Sequence, residues 1–176
     1  MKKTINLFVD MDGTIAKFYH DKKCLEKMYE KGYFENLMPY AIAKEINEFA
    51  KKDSCVEVFI LSACIDSEHC EYEKMAWLLK HMPNIAPKNF IFTKVGESKV
   101  EKAYAKLRTL FDERTNVLLD DYTMNLAEWE NSEWENCIGV KFINGFNNKT
   151  LKWGGERIKT FSGLAEILEK IAMYGN

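Results

Sequence analysis

The chain has 176 residues, 47% of them hydrophobic and 30% charged, with a formal net charge of −2. That length suits a single globular domain with a sizeable core. A charge so close to zero excludes a global field that would recruit a nucleic acid polymer or an anionic membrane, so an anionic partner must be held by a local site.

The chain opens on MKKTINLF, the basic-then-apolar start of a secretory leader, but Asp10 interrupts the apolar stretch too early for one. No run approaches membrane-spanning length, and a cytoplasmic protein is expected. The sequon Asn148-Lys149-Thr150 is then without consequence. The first strand is INLFV, Ile5 to Val9. Residues 17–40 read as a small helical cap, with Leu25, Met28 and Tyr29 on one helix face, Gly32 as its stop and an aromatic-rich turn after it. Ile42, Ile46 and Phe49 then recur at helical spacing. A strand VEVFIL (Val56 to Leu61) precedes a helix with Met75, Leu78, Leu79 and Met82 on its apolar face. NFIFT (Asn89 to Thr93) is a strand, followed by a helical stripe of Val100, Ala103, Leu107 and Leu110. NVLL (Asn116 to Leu119) and CIGVKFI (Cys137 to Ile143) are further strands, KWGGER (Lys152 to Arg157) is a turn, and Ser162 caps a last helix, GLAEILEKIA.

Strands alternating with helices specify a parallel sheet covered on both faces. The expected architecture is a single α/β domain over residues 1–176, its core formed by 1–16 and 41–176 with the cap inserted after the first strand. Ligands bind such sheets beyond the carboxyl ends of the strands. Asp10, Ser62 and the pair Asp120-Asp121 each follow a strand, so three elements bring polar residues to one edge.

Asp10 and Asp12 repel one another and serve no core. A hard divalent cation accounts for them and for Asp120-Asp121, because Mg²⁺ takes a few carboxylates together with a substrate phosphate and relieves their repulsion. A carboxylate can also attack phosphorus and form an aspartyl-phosphate. A second acid two residues on can protonate the leaving oxygen and later deprotonate the hydrolytic water. Gly13 permits the chain reversal this needs. Ser62 offers a hydroxyl to the phosphate oxygens. Lys94 and Lys99 are the candidate cations, and the capping box Ser98…Glu101 favours Lys99 by placing it first in a helix.

DMDGT, ILSA, the helix-opening lysine and LLDDYTMN resemble, in order and over most of the chain, the four motifs of the haloacid dehalogenase superfamily. The resemblance implies a Rossmann-like three-layer core, Asp10 as nucleophile, Asp12 as acid/base, Ser62 and Lys99 as phosphate ligands and Mg²⁺ as cofactor. It further implies a metal shell of the Asp10 carboxylate, the Asp12 backbone carbonyl and Asp121. Asp120 then stands where the family has glycine, and Asn125 where it has an acid behind the metal ligands. DMDGTIAKF with LLDDYTMNLAEWE is similar to the 5'(3')-deoxyribonucleotidase group, where an aromatic at the place of Phe18 contacts the base. Leu61 replaces that group's threonine before the serine, and the cap is shorter.

The expected substrate is a small phosphomonoester, in the first place a nucleoside or deoxynucleoside monophosphate. A sugar phosphate is the alternative substrate, and a non-catalytic nucleotide- or metal-binding module the alternative class. The five cysteines include no CxxC, and Cys64 lacks the arginine of a cysteine phosphatase. Cys64, His69 and Cys70 lack a fourth zinc ligand. His20 reads as a solvated cap residue, and VGESK is not a P-loop.

Overall fold

The computed structural model describes residues 4–18, 22–52, 55–147 and 153–174. His20, the sequon and Lys152 lie outside them. Short apolar runs too brief for helices become strands β1 (Ile5–Val9), β2 (Val56–Cys64), β3 (Phe90–Lys94), β4 (Thr115–Asp120), β5 (Cys137–Phe142) and β6 (Glu156–Ile158). Six parallel strands form one sheet in the order β3-β2-β1-β4-β5-β6. Side chains alternate across it. Ile5, Leu7 and Val9 join Val58, Ile60, Val117 and Leu119 on one face, under α2 (Ala41–Phe49), α3 (Cys70–His81) and α7 (Phe161–Tyr174). Phe8, Phe59, Leu61 and Leu118 lie on the other face, against α4 (Lys99–Leu107), α5 (Thr109–Glu113) and α6 (Thr123–Glu130). The result is a three-layer α/β fold of Rossmann-like type.

The alternation also sorts the polar residues. Asp10 and Asp120 continue the face of Phe8 and Leu118, which α4 covers. Ser62 continues the face of Val58 and Ile60, which α3 covers.

The insert leaves and returns through one doorway. Lys17 donates its amide to Met38 O at 2.7 Å, and Tyr40 to Ile15 O at 2.8 Å. Its helix α1 spans Lys22–Lys27. Of the three residues expected on one helix face, Leu25 and Tyr29 are exposed, whereas Met28 packs against the cluster of Phe34, Cys64 and Cys70 that anchors the insert. Helix α3 clamps it there. Glu73 accepts the amides of Gly32 (2.5 Å) and Phe34 (3.0 Å), and the Trp77 indole donates to Leu37 O at 2.7 Å.

Five element details differ from expectation. β2 runs to Cys64, so Ser62 lies within the strand rather than after it. Helix α3 buries Cys70, Glu73, Lys74, Trp77 and Leu78 and exposes Leu79, because the polar clamp and Lys74 have partners inside. The stripe Val100–Leu110 breaks at Arg108, whose positive φ of 50° ends α4 and starts α5; Phe111 is buried where Leu110 is not. Glu156–Ile158 is not turn but an edge strand beside β5, and α7 starts at Phe161, with Ser162 inside it rather than capping it.

Candidate active site

β1 delivers Asp10 to the carboxyl edge of the sheet, and the chain at once reverses. Gly13 has φ of +84°, a conformation that costs an L-residue roughly 1–2 kcal/mol. A Cβ there would also stand 2.5 Å from Asp121 Oδ2. Both requirements select glycine. Gly13→Ala is expected to push Asp121 aside and to lower stability by roughly 1–2 kcal/mol, which a thermal melt measures.

On the α4 side, Lys99 enters from the first residue of a helix capped by Ser98, whose hydroxyl accepts the Glu101 amide at 3.3 Å. Its ammonium donates to Asp10 Oδ1 at 2.6 Å and to Asp120 Oδ2 at 2.7 Å. Asp120 also accepts the Tyr122 amide (2.8 Å) and the Asn125 side chain (2.9 Å). Asp121 accepts from Asn144 at 2.9 Å, and the same amide group donates to Gly13 O at 2.9 Å. Asn147 donates to Asp121 O at 3.0 Å. The loop after β5 thereby ties the β1 and β4 loops together.

Carboxylate oxygens of Asp10, Asp120 and Asp121 lie within 4.8 Å of one another, and all three residues are buried. Lys99 is bonded to two of them, and Lys141 acts on Asp121 and Asp120 from further off, so the three carboxylates outnumber the cations beside them. Burial pushes the Asp10 carboxyl up to about 7; Lys99 opposes this, while Asp120 and Asp12 add to it. Asp121 is held well above the usual carboxylate range, first by burial and then by Asp120 and Asp10. Burial works against the Lys99 charge, but Asp10 and Asp120 outweigh it and hold its pKa above the ordinary lysine value. All-oxygen donors with this excess charge fit a hard divalent cation.

On the α3 side stands a residue that the sequence reading missed. Lys74, 1% exposed, donates to an Asp12 carboxylate oxygen, to Ser62 Oγ at 3.0 Å and to Ala63 O at 2.5 Å. Its ammonium lies 4.8 Å from the centroid of the Phe34 ring. Its signal in the sequence was position: Cys70, Lys74, Trp77 and Leu78 share one helical face, and a lysine in an apolar stripe needs a buried partner. Asp12 Oδ1 is buried with no hydrogen-bond partner among the described residues.

The expected residues divide accordingly. Asp10, Asp120, Asp121, Lys99 and Asn125 form one connected group, and Asp12 and Ser62 meet through Lys74. Lys94 stands apart, exposed at the end of β3. Phe18 is buried in the insert, edge-on to Tyr33 with ring centroids 6.2 Å apart. A cavity of about 360 Å³ opens elsewhere, at the amino ends of the strands, between Thr4, Val56, Asn84 and Arg114.

No family model matches this chain, and no curated protein matches it. Among solved structures it is similar to DsGPDH of Dunaliella salina, with a TM-score of 0.56 and 16% identity. The match covers 90% of this chain and 28% of that one, so the chain spans little over a quarter of its length. A likeness at that identity carries the fold: this is an α/β protein with a parallel, Rossmann-like sheet. No helix among the described residues is long and apolar enough to cross a membrane.

Proposed function

We propose that the chain is a Mg²⁺-dependent phosphomonoester hydrolase of the haloacid dehalogenase type, working through an aspartyl-phosphate on Asp10, with nucleoside or deoxynucleoside monophosphates as substrates. One observation carries this reading: Asp10, Asp120 and Asp121 gather their oxygens within 4.8 Å where two strands end, with a buried lysine bonded to the first of them.

Asp10, Asp121 and the Asp12 backbone would hold the cation. When bound, Mg²⁺ neutralises phosphoryl charge and aligns the displacement. Lys99, bonded to Asp10 and Asp120, restrains the nucleophile from turning away from the phosphate. Ser62 and Lys74, adjacent to each other and to Asp12, would receive the phosphoryl oxygens, which makes Lys74 rather than Lys99 the better phosphate cation. Asp12 is the acid/base. Its unpartnered oxygen is the atom to pass a proton to the leaving alkoxide and later to take one from water. Asp10 displaces the alkoxide at phosphorus, Asp12 supplies that proton, and water then attacks the phosphorus of the aspartyl-phosphate and releases Asp10. The insert, whose Phe34 ring stands over the Lys74 ammonium, would enclose the leaving group; contact of Phe18 with the base would require this buried ring to turn out of its packing on Tyr33.

A panel of phosphomonoesters tests the proposal. Mg²⁺-dependent hydrolysis of p-nitrophenyl phosphate, with kcat/KM highest for nucleoside monophosphates, is the expected result. A preference for sugar phosphates would move the substrate class. Nucleotide binding without release under any divalent metal would favour a binding module.

The metal has a second signature. Unfolded, Asp10 titrates at the ordinary 3.8; folded without metal, at about 7. The folded state therefore binds that proton more tightly, and its contribution to stability falls as pH rises between those values. Asp121, also raised, acts in the same direction. Mg²⁺ competes with these protons, so the rise in Tm on adding Mg²⁺ is expected to grow from about pH 5 to about pH 7.5. A metal increment in Tm that is flat or shrinking over that range would contradict the site.

A further inference from the structure

Asn144, in the loop after β5, reaches the acidic centre from outside every motif that pointed to it. Its amide nitrogen donates to Asp121 Oδ2 and to Gly13 O, each at 2.9 Å. Its amide oxygen accepts the backbone N–H groups of Phe146 (2.9 Å) and Asn147 (3.1 Å). Two acceptors on one side and two donors on the other fix the orientation of the group. We infer that Asn144 is a positioning residue that confines Asp121 to a single metal-binding oxygen, and that it thereby selects Mg²⁺ over Ca²⁺. The inference rests on the metal centre proposed above.

The hydrogen bonds of the three acids single out Asp121. Asp10 Oδ1 accepts from Lys99 at 2.6 Å, and its Oδ2 from the Thr14 hydroxyl at 3.4 Å. Asp120 Oδ1 accepts the Tyr122 amide, and its Oδ2 accepts from Lys99 and Asn125. In Asp121, Oδ2 accepts from Asn144, whereas Oδ1 accepts no hydrogen bond among the described residues. Oδ1 is the oxygen that a cation can take without displacing a donor. The rest of Asp121 is held in place around it. Asn147 donates to Asp121 O at 3.0 Å and to Phe142 O at 2.7 Å, which fixes the backbone. The carboxylate itself lies against Gly13, where an added Cβ would stand 2.5 Å from Oδ2 and 2.8 Å from Oδ1.

Coordination chemistry turns that restraint into selectivity. Mg²⁺ demands a near-ideal octahedron and keeps several waters, which a carboxylate offering one oxygen suits. Ca²⁺ takes roughly six to eight oxygens in looser geometry and often draws both from one carboxylate. With Oδ2 engaged by Asn144, Asp121 meets the first requirement and denies the second. The same amide group holds Gly13, next to the Asp12 carbonyl proposed as a ligand, so it also keeps that carbonyl and Asp121 in fixed relation. Removing an outer partner of this kind typically lowers metal affinity about ten- to a hundredfold.

Calorimetric titration of the parent, Asn144→Ser and Asn147→Ala with Mg²⁺ and, separately, with Ca²⁺ tests the inference. The serine hydroxyl can still accept the amides of Phe146 and Asn147, but it is too short to reach Asp121 and Gly13 together. The parent is expected to bind Mg²⁺ at least as tightly as Ca²⁺. Asn144→Ser is expected to lose about tenfold or more in Mg²⁺ affinity with Ca²⁺ affinity little changed, so that the ratio moves toward Ca²⁺. Asn147→Ala loosens the same loop without touching the carboxylate, and should lower Tm while leaving the ratio where it was. A parent that prefers Ca²⁺, an Asn144→Ser ratio equal to the parent's, or an equal shift in Asn147→Ala overturns the inference. A parent that binds neither ion defeats the metal centre and the inference with it. The expected shift in a chain that hydrolyses no phosphomonoester defeats the phosphatase proposal and leaves the role of Asn144 standing.

Discussion

Asp10→Asn is expected to abolish hydrolysis of p-nitrophenyl phosphate, by roughly 10⁴-fold or more, in a protein that keeps its fold. The amide has the shape of the carboxylate but cannot attack phosphorus. The substitution also costs little stability. Asp10 is a buried acid whose charge is opposed by its surroundings, and Lys99 retains Asp120 at 2.7 Å when Asp10 becomes neutral. The Tm without metal should therefore stay close to the parent's or rise. Mg²⁺ binding should weaken but persist through Asp121. Circular dichroism, a thermal melt and a calorimetric titration separate these effects. Near-normal turnover in this variant would remove Asp10 from the nucleophile's place.

Lys74→Met is expected to be the most destabilising change near the site and to cut turnover by more than about a hundredfold. The ammonium is enclosed, and burial alone would discourage its charge. Asp12, followed by the two cysteines, outweighs that and raises its pKa above the ordinary lysine value. Methionine fills the stem's volume but leaves the Asp12 carboxylate without its partner, and breaking a buried pair from one side costs roughly 3–5 kcal/mol. It also removes the charge beside Ser62. Denaturant unfolding measures the first effect and kcat/KM the second. Lys94→Met, at the exposed end of β3, is the matched control and should stay within about 0.5 kcal/mol of the parent. A Lys74 variant as stable and as active as that control would show that the ammonium does nothing at Asp12 and Ser62.

The sheet was legible because its strands are short apolar runs, too brief for helices, separated by helical periodicity. Such runs are buried on both faces, as parallel strands must be. Asp10 and Asp121 stood out because adjacent acids after an apolar run have no core role. Lys99 was marked by the Ser98–Glu101 cap, a local pattern that needs no tertiary knowledge. What was hidden depends on contacts distant in sequence. Lys74 and Glu73 look like solvated charges in EYEKMAW until Asp12, Ser62 and the amides of Gly32 and Phe34 arrive to satisfy them. Asn144 and Asn147 read as an ordinary polar loop, and only the fold sets them against Asp121 and Gly13. The edge strand Glu156–Ile158 is three residues long and follows two glycines, so turn chemistry masked it. The exposed Leu25 and Tyr29 show the converse, since an apolar helix face does not say which side of an insert meets the core.

The central claim is that Asp10 attacks phosphorus while its neighbouring acids hold a divalent metal. The most direct measurement is mass mapping of the chain after acid quenching during steady turnover of a phosphomonoester with Mg²⁺. One phosphoryl group is expected on the peptide bearing Asp10, absent without the metal and absent in Asp10→Asn. Phosphate carried by another residue, or steady Mg²⁺-dependent turnover with Asp10 unmodified at every quench time and in every burst, would contradict it.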